Sequence, residues 1–413
     1  VSILKKIKQQ LKNKDVKVLL ENFLSLSLLQ VVGYILPLLT LPYIAKVIGV
    51  AYFGEIAFAS AVIVFFQTLV DYGYNYTGVR DISRIRENKE EVSKVYSTIF
   101  FSKLILMVLG FIILVLLIFM IPEFERNRKI LLFTFSIIPG YILYPEWLFQ
   151  GLEKMKYSAI LSTIIKLIFT LLIFIVVKSG NDYVYIPLIN GAGFLIVGIL
   201  AFFFIKRLGY SLVRVSVKEI IISLKGSTDM FISLILPNLY TNMSTIFLGN
   251  YWGRVSTGIF DAGNKFIGLS QQFTNVLSRA FYPYLARKLE KHSIFERISL
   301  ILSLIISVGL YFLAPLIVSV FYNNDFVDAV IVIRIMSISP IFIFMMNAYG
   351  TNYLVLKGRE HVLRNIVLVC SILGLGLSWI LVKKYSFIGA AIAITSIWAL
   401  RGLLTMYYAK RKI

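Results

Sequence analysis

The sequence predicts an all-α integral membrane protein. About twelve transmembrane helices are expected, in two six-helix bundles related by a pseudo-two-fold axis along the membrane normal. Three observations predict this. Of 413 residues, 58% are hydrophobic and 15% charged, and the mean hydropathy is +0.83, so the chain has too little polar surface to face water. Apolar runs of bilayer-spanning length recur along the whole chain. Short motifs also recur at an offset close to half the chain length.

The twelve runs cover roughly 22–45, 53–77, 95–121, 130–149, 158–178, 185–205, 227–249, 257–282, 298–321, 329–354, 365–382 and 387–407. They are numbered here as spans 1 to 12. Spans 3 and 10 are long enough to tilt. Span 1 begins too late, and is too long and polar-flecked, for a cleaved signal peptide, so it is expected to remain as a helix. The organisation is then a basic segment 1–21, a bundle 22–205, a linker 206–226, a second bundle 227–407 and a basic tail 408–413. The linker, at about 21 residues, is the longest loop, which leaves no room for a folded domain outside the membrane.

Forty-two Lys and Arg oppose 21 Asp and Glu. In a soluble chain that excess points to nucleic acid. In a membrane chain it reflects basic residues collected in cytoplasmic loops, so no nucleic-acid partner is expected. With the N-terminus inside, the inner segments hold 28 basic residues and the outer segments 8. An even number of spans puts both termini on the cytoplasmic side. Residues 1–17 carry six lysines among Ile3, Leu4, Ile7 and Leu11, and read equally as a helix on the anionic leaflet or as a solvated basic tail. One cysteine, Cys370, and two histidines, His292 and His361, leave no disulfide and no ordinary metal site. No cofactor is expected.

The internal repeat rests on three matches. Ile48-Gly49 followed by Phe53-Gly54 is matched by Leu248-Gly249 followed by Thr257-Gly258, with Gly54 and Gly258 204 residues apart. Arg84-Ile85-Arg86-Glu87 is matched by Arg287-Lys288-Leu289-Glu290 at 203, and Gln150-Gly151-Leu152-Glu153 by Lys357-Gly358-Arg359-Glu360 at 207. Repeats of six spans run in the same direction, so two bundles face each other across a cleft, and rocking one against the other gives alternating access.

Polar residues in spans are costly and face an interior or a cavity. In span 8, Asp261, Lys265, Gly268, Gln272, Asn275 and Arg279 fall within about an 80° arc. Asp261 and Lys265 have the favourable i,i+4 order for an ion pair. Span 7 places Asp229, Ser233, Tyr240 and Ser244 on one side; span 1 does so with Asn22, Ser25, Gly33 and Thr40, and span 2 with Ser60, Gln67, Asp71 and Gly78. Spans 3, 6, 9 and 11 read as lipid-facing. Any single polar residue reads as readily as a helix–helix hydrogen bond. Lys103 and Lys166 suit a cavity or snorkelling equally, while Arg334 and Arg401 read as snorkelling or bundle contacts. The candidate substrate-binding residues are therefore Lys265, Arg279, Gln272, Asn275, Gln67, Asn22, Lys103 and Lys166. Asp71, Asp229 and Asp261 are candidates for ion coupling, or partners of the lysines.

No phosphate-binding GxxxxGK[ST] loop, HExxH, CxxC or GxSxG is present, so the chain is not by itself an ATP-driven pump. The stretch Gln30–Tyr43 (QVVGYILPLLTLPY), with Val47-Ile48-Gly49, Phe53-Gly54-Glu55-Ile56-Ala57-Phe58 and Asp71-Tyr72-Gly73-Tyr74, resembles the N-terminus of Wzx-type polysaccharide flippases of the multidrug/oligosaccharidyl-lipid/polysaccharide (MOP) exporter superfamily. Trp147-Leu148-Phe149-Gln150-Gly151-Leu152-Glu153 is similar too. The resemblance implies a non-enzymatic translocator of undecaprenyl-diphosphate-linked oligosaccharides, working in the inner membrane beside a polymerase and a chain-length regulator. It implies a cavity lined by helices 1, 2, 7 and 8, where the polar faces fall. Span 1 here has no arginine of the kind thought to engage diphosphate in lipid II flippases, so Lys265 and Arg279 are the expected substitutes. A multidrug or cation antiporter on the same fold is the nearest rival. A polytopic O-antigen polymerase or glycosyltransferase is the rival of another class, and the short outer loops oppose it.

Overall fold

The computed structural model describes residues 14–287 and 289–411, and side chains from Leu36 onward except those of Arg279, Ala280, Pro283, Tyr284, Ala286 and Arg287. The described residues are mostly helical, without strands. Nine helical stretches among them are long and apolar enough to cross a membrane, so the chain is a multi-pass membrane protein. The basic segment lies outside the described residues up to position 13, and the described residues from Lys14 are already helical, ahead of the expected start of span 1.

In chain order the helices are α1 (Lys14–Asp71), α2 (Tyr74–Ile85), α3 (Lys89–Met120), α4 (Pro122–Arg126), α5 (Arg128–Phe135), α6 (Ile137–Leu143), α7 (Glu146–Gly151), α8 (Met155–Val176) and α9 (Tyr185–Arg207). There follow α10 (Val217–Arg287), α11 (His292–Phe321), α12 (Ala329–Met336), α13 (Ser339–Met345), a π-helical stretch Met346–Val355 and α14 (Glu360–Lys410). Helices α1, α10 and α14 run 58, 71 and 51 residues, each the length of two crossings. Each is divided by one non-helical residue: Gly49 (φ 73°, ψ 172°), Gly253 (φ 75°, ψ −168°) and Ser386 (φ 54°, ψ −137°). The conformation at Gly49 and Gly253 is open essentially to glycine alone.

Gly49 and Gly253 are 204 residues apart, so the turn glycine of the second half is Gly253, not the expected Gly249. Gly249 instead packs against the Phe58 ring, where a side chain would clash. The third motif match is also re-registered. Glu153 and Gly358 both have positive φ (56° and 68°), and Lys154 N and Arg359 N donate to Phe149 O and Leu354 O at 2.8 and 2.9 Å. The offset there is 205 residues, not 207. Spans 4 and 10 are broken at a motif the sequence reading passed over. Ser136-Ile-Ile-Pro139 and Ser337-Ile-Ser-Pro340 each interrupt the helix, and each serine hydroxyl donates back to the carbonyl three residues earlier, at 2.6 and 2.7 Å. The prolines lack the N–H that would continue the ladder.

Two boundaries move. Span 2 ends at Asp71, where Tyr72 (φ 48°) and Gly73 (φ 82°) break the helix, so Gly78 lies on the separate helix α2, packed on Trp147. Span 7 begins ten residues early, at Val217, because Ser216 and Glu219 form a reciprocal cap: Ser216 N donates to Glu219 Oε2 at 2.7 Å and Glu219 N to Ser216 Oγ at 3.3 Å. The remaining linker is tied to α3, with Ser211 N and Val213 N donating to Ser93 and Ser97 hydroxyls. Ser216→Ala should cost about 1 kcal/mol locally. Amide exchange at Val217–Glu219 should then quicken by about fivefold; unchanged exchange would mean the linker alone fixes the helix start.

One end of the molecule gathers Gly49, Gly253 and the turns beside them. Tyr43 OH donates to Val177 O at 2.6 Å, Tyr52 stacks on Tyr183 at 4.2 Å, and Phe53 meets Phe326 edge-on at 5.4 Å. The largest buried cluster lies there and joins both halves, Leu41 and Phe53 with Phe260 and Val332. Exposed large apolar residues line α3, α9, α11 and the first half of α14, as expected for lipid-facing spans; Phe119 and Phe312 are 81% and 72% exposed.

Candidate functional site

A cavity of about 390 Å³ opens between α1, α5, α8, α9 and the second part of α10. Thr40, Ser60, Thr134, Asn190, Asp261 and Lys265 supply its polar groups, and Pro37, Phe53, Ile56 and Phe169 are among its apolar ones. Pro37 lies one turn before Thr40, whose hydroxyl donates to the carbonyl of Pro37 at 3.0 Å. The Asp261–Lys265 pair expected from the i,i+4 spacing is formed, Nζ to Oδ2 at 2.7 Å. Lys265 Nζ also stands 5.1 Å from the Phe53 ring centre. The ammonium is therefore presented on the wall, with one acid and one aromatic face orienting it. Asn190 comes from span 6, read from sequence as lipid-facing: one side of that helix meets lipid and the other meets the cavity.

At the Gly49 end, beside the cavity, the two halves meet backbone to backbone. A side chain on Gly54 would overlap the Arg254 carbonyl, and one on Gly258 would overlap the Val50 carbonyl. Both members of these two contacts are related by the same 204 residues. Glu55, buried within this seam, pairs with the guanidinium of the more exposed Arg254. Sequence reasoning missed this pair, although an acid within an apolar run was the available signal.

The other predicted residues scatter. Lys103 and Asp71 are buried together in the first half, Nζ to Oδ1 at 3.0 Å, outside the cavity lining. Tyr141 OH donates to the same carboxylate oxygen at 3.0 Å, and Asn75 donates to Tyr141 at 2.7 Å. Lys166 and Gln67 are half-buried and outside the lining, and Gln272 and Asp229 are exposed. Asn275 is half-buried and accepts from Asn347 at 2.8 Å. The side chains of Arg279 and Asn22 lie outside the described ones. On span 7, Tyr240 and Ser244 prove to be bundle contacts: Ser244 donates to Ser378 at 2.8 Å, and Arg401 to Tyr240 OH at 3.3 Å.

The Asp261–Lys265 ion pair and neutral hydrogen-bonding groups thus line a cavity among the spanning helices. Residues 19–289 match the family described as Polysaccharide biosynthesis protein. The chain is 29% identical over 406 residues to the "Putative O-antigen transporter" of Escherichia coli (strain K12), spanning 95% of this chain and 97% of that one. It is 29% identical over 187 residues, 43% of this chain and 47% of that one, to the capsular polysaccharide biosynthesis protein CapF of Staphylococcus aureus. Among solved structures, lipid II flippase MurJ in its inward closed conformation superimposes with TM-score 0.76 at 18% identity, over 94% of this chain and 88% of that one. An inward-facing MATE multidrug resistance transporter of the MOP superfamily gives 0.65 at 14% identity, over 92% and 97%. The chain has the MOP-superfamily fold and belongs to the polysaccharide biosynthesis protein family.

Proposed function

We propose that this protein flips undecaprenyl-diphosphate-linked oligosaccharide repeat units from the cytoplasmic to the periplasmic face of the bacterial inner membrane, in O-antigen or capsular polysaccharide biosynthesis. The observation that carries this reading is Lys265 on the cavity wall, oriented by Asp261 and Phe53. An ammonium on the cavity wall, with Asp261 as one partner and donors left over, suits a diphosphate. Thr40, Ser60 and Asn190 offer neutral partners to sugar hydroxyls, and the prenyl tail stays in lipid. The O-antigen and capsule proteins among the relatives support the substrate class.

In this reading the long helices divide at Gly49, Gly253 and Ser386 to give twelve crossings. The bundles 22–205 and 227–407 rock about the Gly54–Gly258 seam. Both termini are cytoplasmic, from the bias of 28 basic residues to 8, and the Gly49 end is periplasmic. In this reading Asp261, on the cavity wall, is the first candidate for ion coupling; Asp71 and Asp229 lie outside that lining. A polymerase and a chain-length regulator act on the exported units.

The test is the sidedness of lipid-linked repeat units in cells whose only copy carries Lys265→Ala, read with a membrane-impermeant glycan-labelling reagent. Loss of a charge-assisted hydrogen bond of about 1.5–3 kcal/mol predicts export slowed about 10- to 150-fold. Export at the parent rate sinks the role of Lys265. Dye or drug efflux that depends on the chain, with normal glycan exposure, sinks the flippase reading in favour of the antiporter.

A further inference from the structure

A second recess, of about 650 Å³, lies at the end opposite Gly49, within the second half and away from the cavity. The turn after the π-helical stretch and the last turn of α14 converge on it. Lys357 and Arg359 come from the first, and Lys410 and Arg411 from the second. Tyr349, Tyr353 and the buried His292 form its aromatic floor, with the His292 and Tyr353 rings 5.0 Å apart.

The charges do not cancel. Glu296 is the one acid among the described lining residues, and it is already engaged. It accepts from Tyr349 OH, and from Lys410 Nζ at 3.2 Å. Lys357 stands over the Tyr353 ring at 4.7 Å, and Arg359 spends one N–H on Tyr408 O at 3.4 Å. Among the described residues, four of the five guanidinium donors of Arg359 and all three of the Lys357 ammonium have no hydrogen-bond acceptor.

A general cytoplasmic bias of basic residues does not explain this. The matching turn of the first half, 205 residues earlier, has Leu152 where the second half has Lys357, and Leu152 is buried. Glu153 there, at the position of Gly358, pairs with Arg86. The first half keeps one basic residue in this turn, Lys154 at the position of Arg359; the second half adds Lys357, and its turn borders an open recess.

We propose that this recess seats the phosphate of an anionic glycerophospholipid of the surrounding membrane, as a site separate from the transport cavity. Its place at the ends of three crossing helices is where a headgroup meets the protein, and basic pockets between helices suit such headgroups. Arg359 and Lys357 grip the phosphate oxygens, and the tyrosine floor takes the glycerol side.

The experiment is native mass spectrometry of the purified full-length protein in detergent, with phosphatidylglycerol, phosphatidylcholine or inorganic phosphate added. Retained phosphatidylglycerol, with phosphatidylcholine lost, is the expected result. Lys357→Gln with Arg359→Gln should lower that occupancy by about thirtyfold. Lys357→Arg should keep it, and Lys383→Gln with Lys384→Gln, at the other end, should leave it unchanged. Equal retention of phosphatidylcholine, retention unaffected by the Lys357/Arg359 change, or equal loss in the Lys383/Lys384 control overturns the proposal. Inorganic phosphate that displaces the lipid at equal concentration shows a free-anion site and overturns it as well. Glycan export enters none of these readouts, so failure here is distinct from failure of the flippase reading.

Discussion

Replacing Gly258 with leucine is expected to force open the Gly49 end and to stop export. The atom that blocks a side chain at Gly258 is the Val50 carbonyl oxygen, and at Gly54 it is the Arg254 carbonyl oxygen. A backbone carbonyl in a helical turn cannot swing aside as a side chain can, so the two hairpins must separate. Overpacking of close contacts costs about 1–3 kcal/mol, which lowers the closed population by about 5- to 150-fold. Gly258→Ala should give a weaker version of the same shift. Glu55 and Arg254 sit in this seam, so separation also breaks their pair. Cysteine labelling reads the change with little background, because Cys370 is the only cysteine and is buried. Ser60→Cys, on the cavity wall, should react with an impermeant thiol reagent from outside the cell at least tenfold faster when Gly258→Leu is also present. Equal labelling and normal export in both would show that the seam is not the closing contact.

Most of the frame of this molecule is legible in its residues, because membrane burial imposes one-dimensional rules. Apolar length predicts the crossings, and lipid-facing helices declare themselves by unbroken Leu, Ile, Val and Phe. The i,i+4 pair Asp261–Lys265 is local to one helix, so spacing alone predicts it, and the structure forms it. Two local signals were present and passed over. Ser216-Val-Lys-Glu219 is a capping box that moves the start of span 7, and Ser-x-x-Pro at 136–139 and 337–340 marks the breaks in spans 4 and 10. What composition and period cannot reveal is which polar residues meet across distance. Asp71, Lys103 and Tyr141 stand on three different helices, and only packing brings them to one carboxylate oxygen. Helical projection placed Asp71 on a wet face and left Lys103 between cavity and snorkelling. Packing gives each its partner in the other. The same argument explains Gly249 and Gly253: both are glycines near a turn, but one is required by backbone angle and the other by the Phe58 ring.

The second large effect concerns that buried pair. Lys103→Met leaves the Asp71 carboxylate in the interior with Tyr141 OH as its remaining described donor. Asp71→Asn leaves the Lys103 ammonium beside the Tyr141 ring, its centre 5.2 Å away, with the carboxylate gone. Each single change strands a buried charge, and should cost about 3–5 kcal/mol. Thermal unfolding of the purified protein in detergent should show both single variants melting well below the parent. The double variant Asp71→Asn, Lys103→Met removes both charges together and should recover most of the loss, since a buried pair replaced as a unit is often neutral. Additive losses in the double variant would show that the two groups do not act as a pair. Export measured on the same three variants then separates scaffold from coupling. Lys103 consumes the charge of Asp71, and neither residue lines the cavity, so the double variant should regain export along with stability. A double variant that is stable yet cannot export would instead assign the Asp71 proton or charge to the transport cycle, and would move ion coupling away from Asp261.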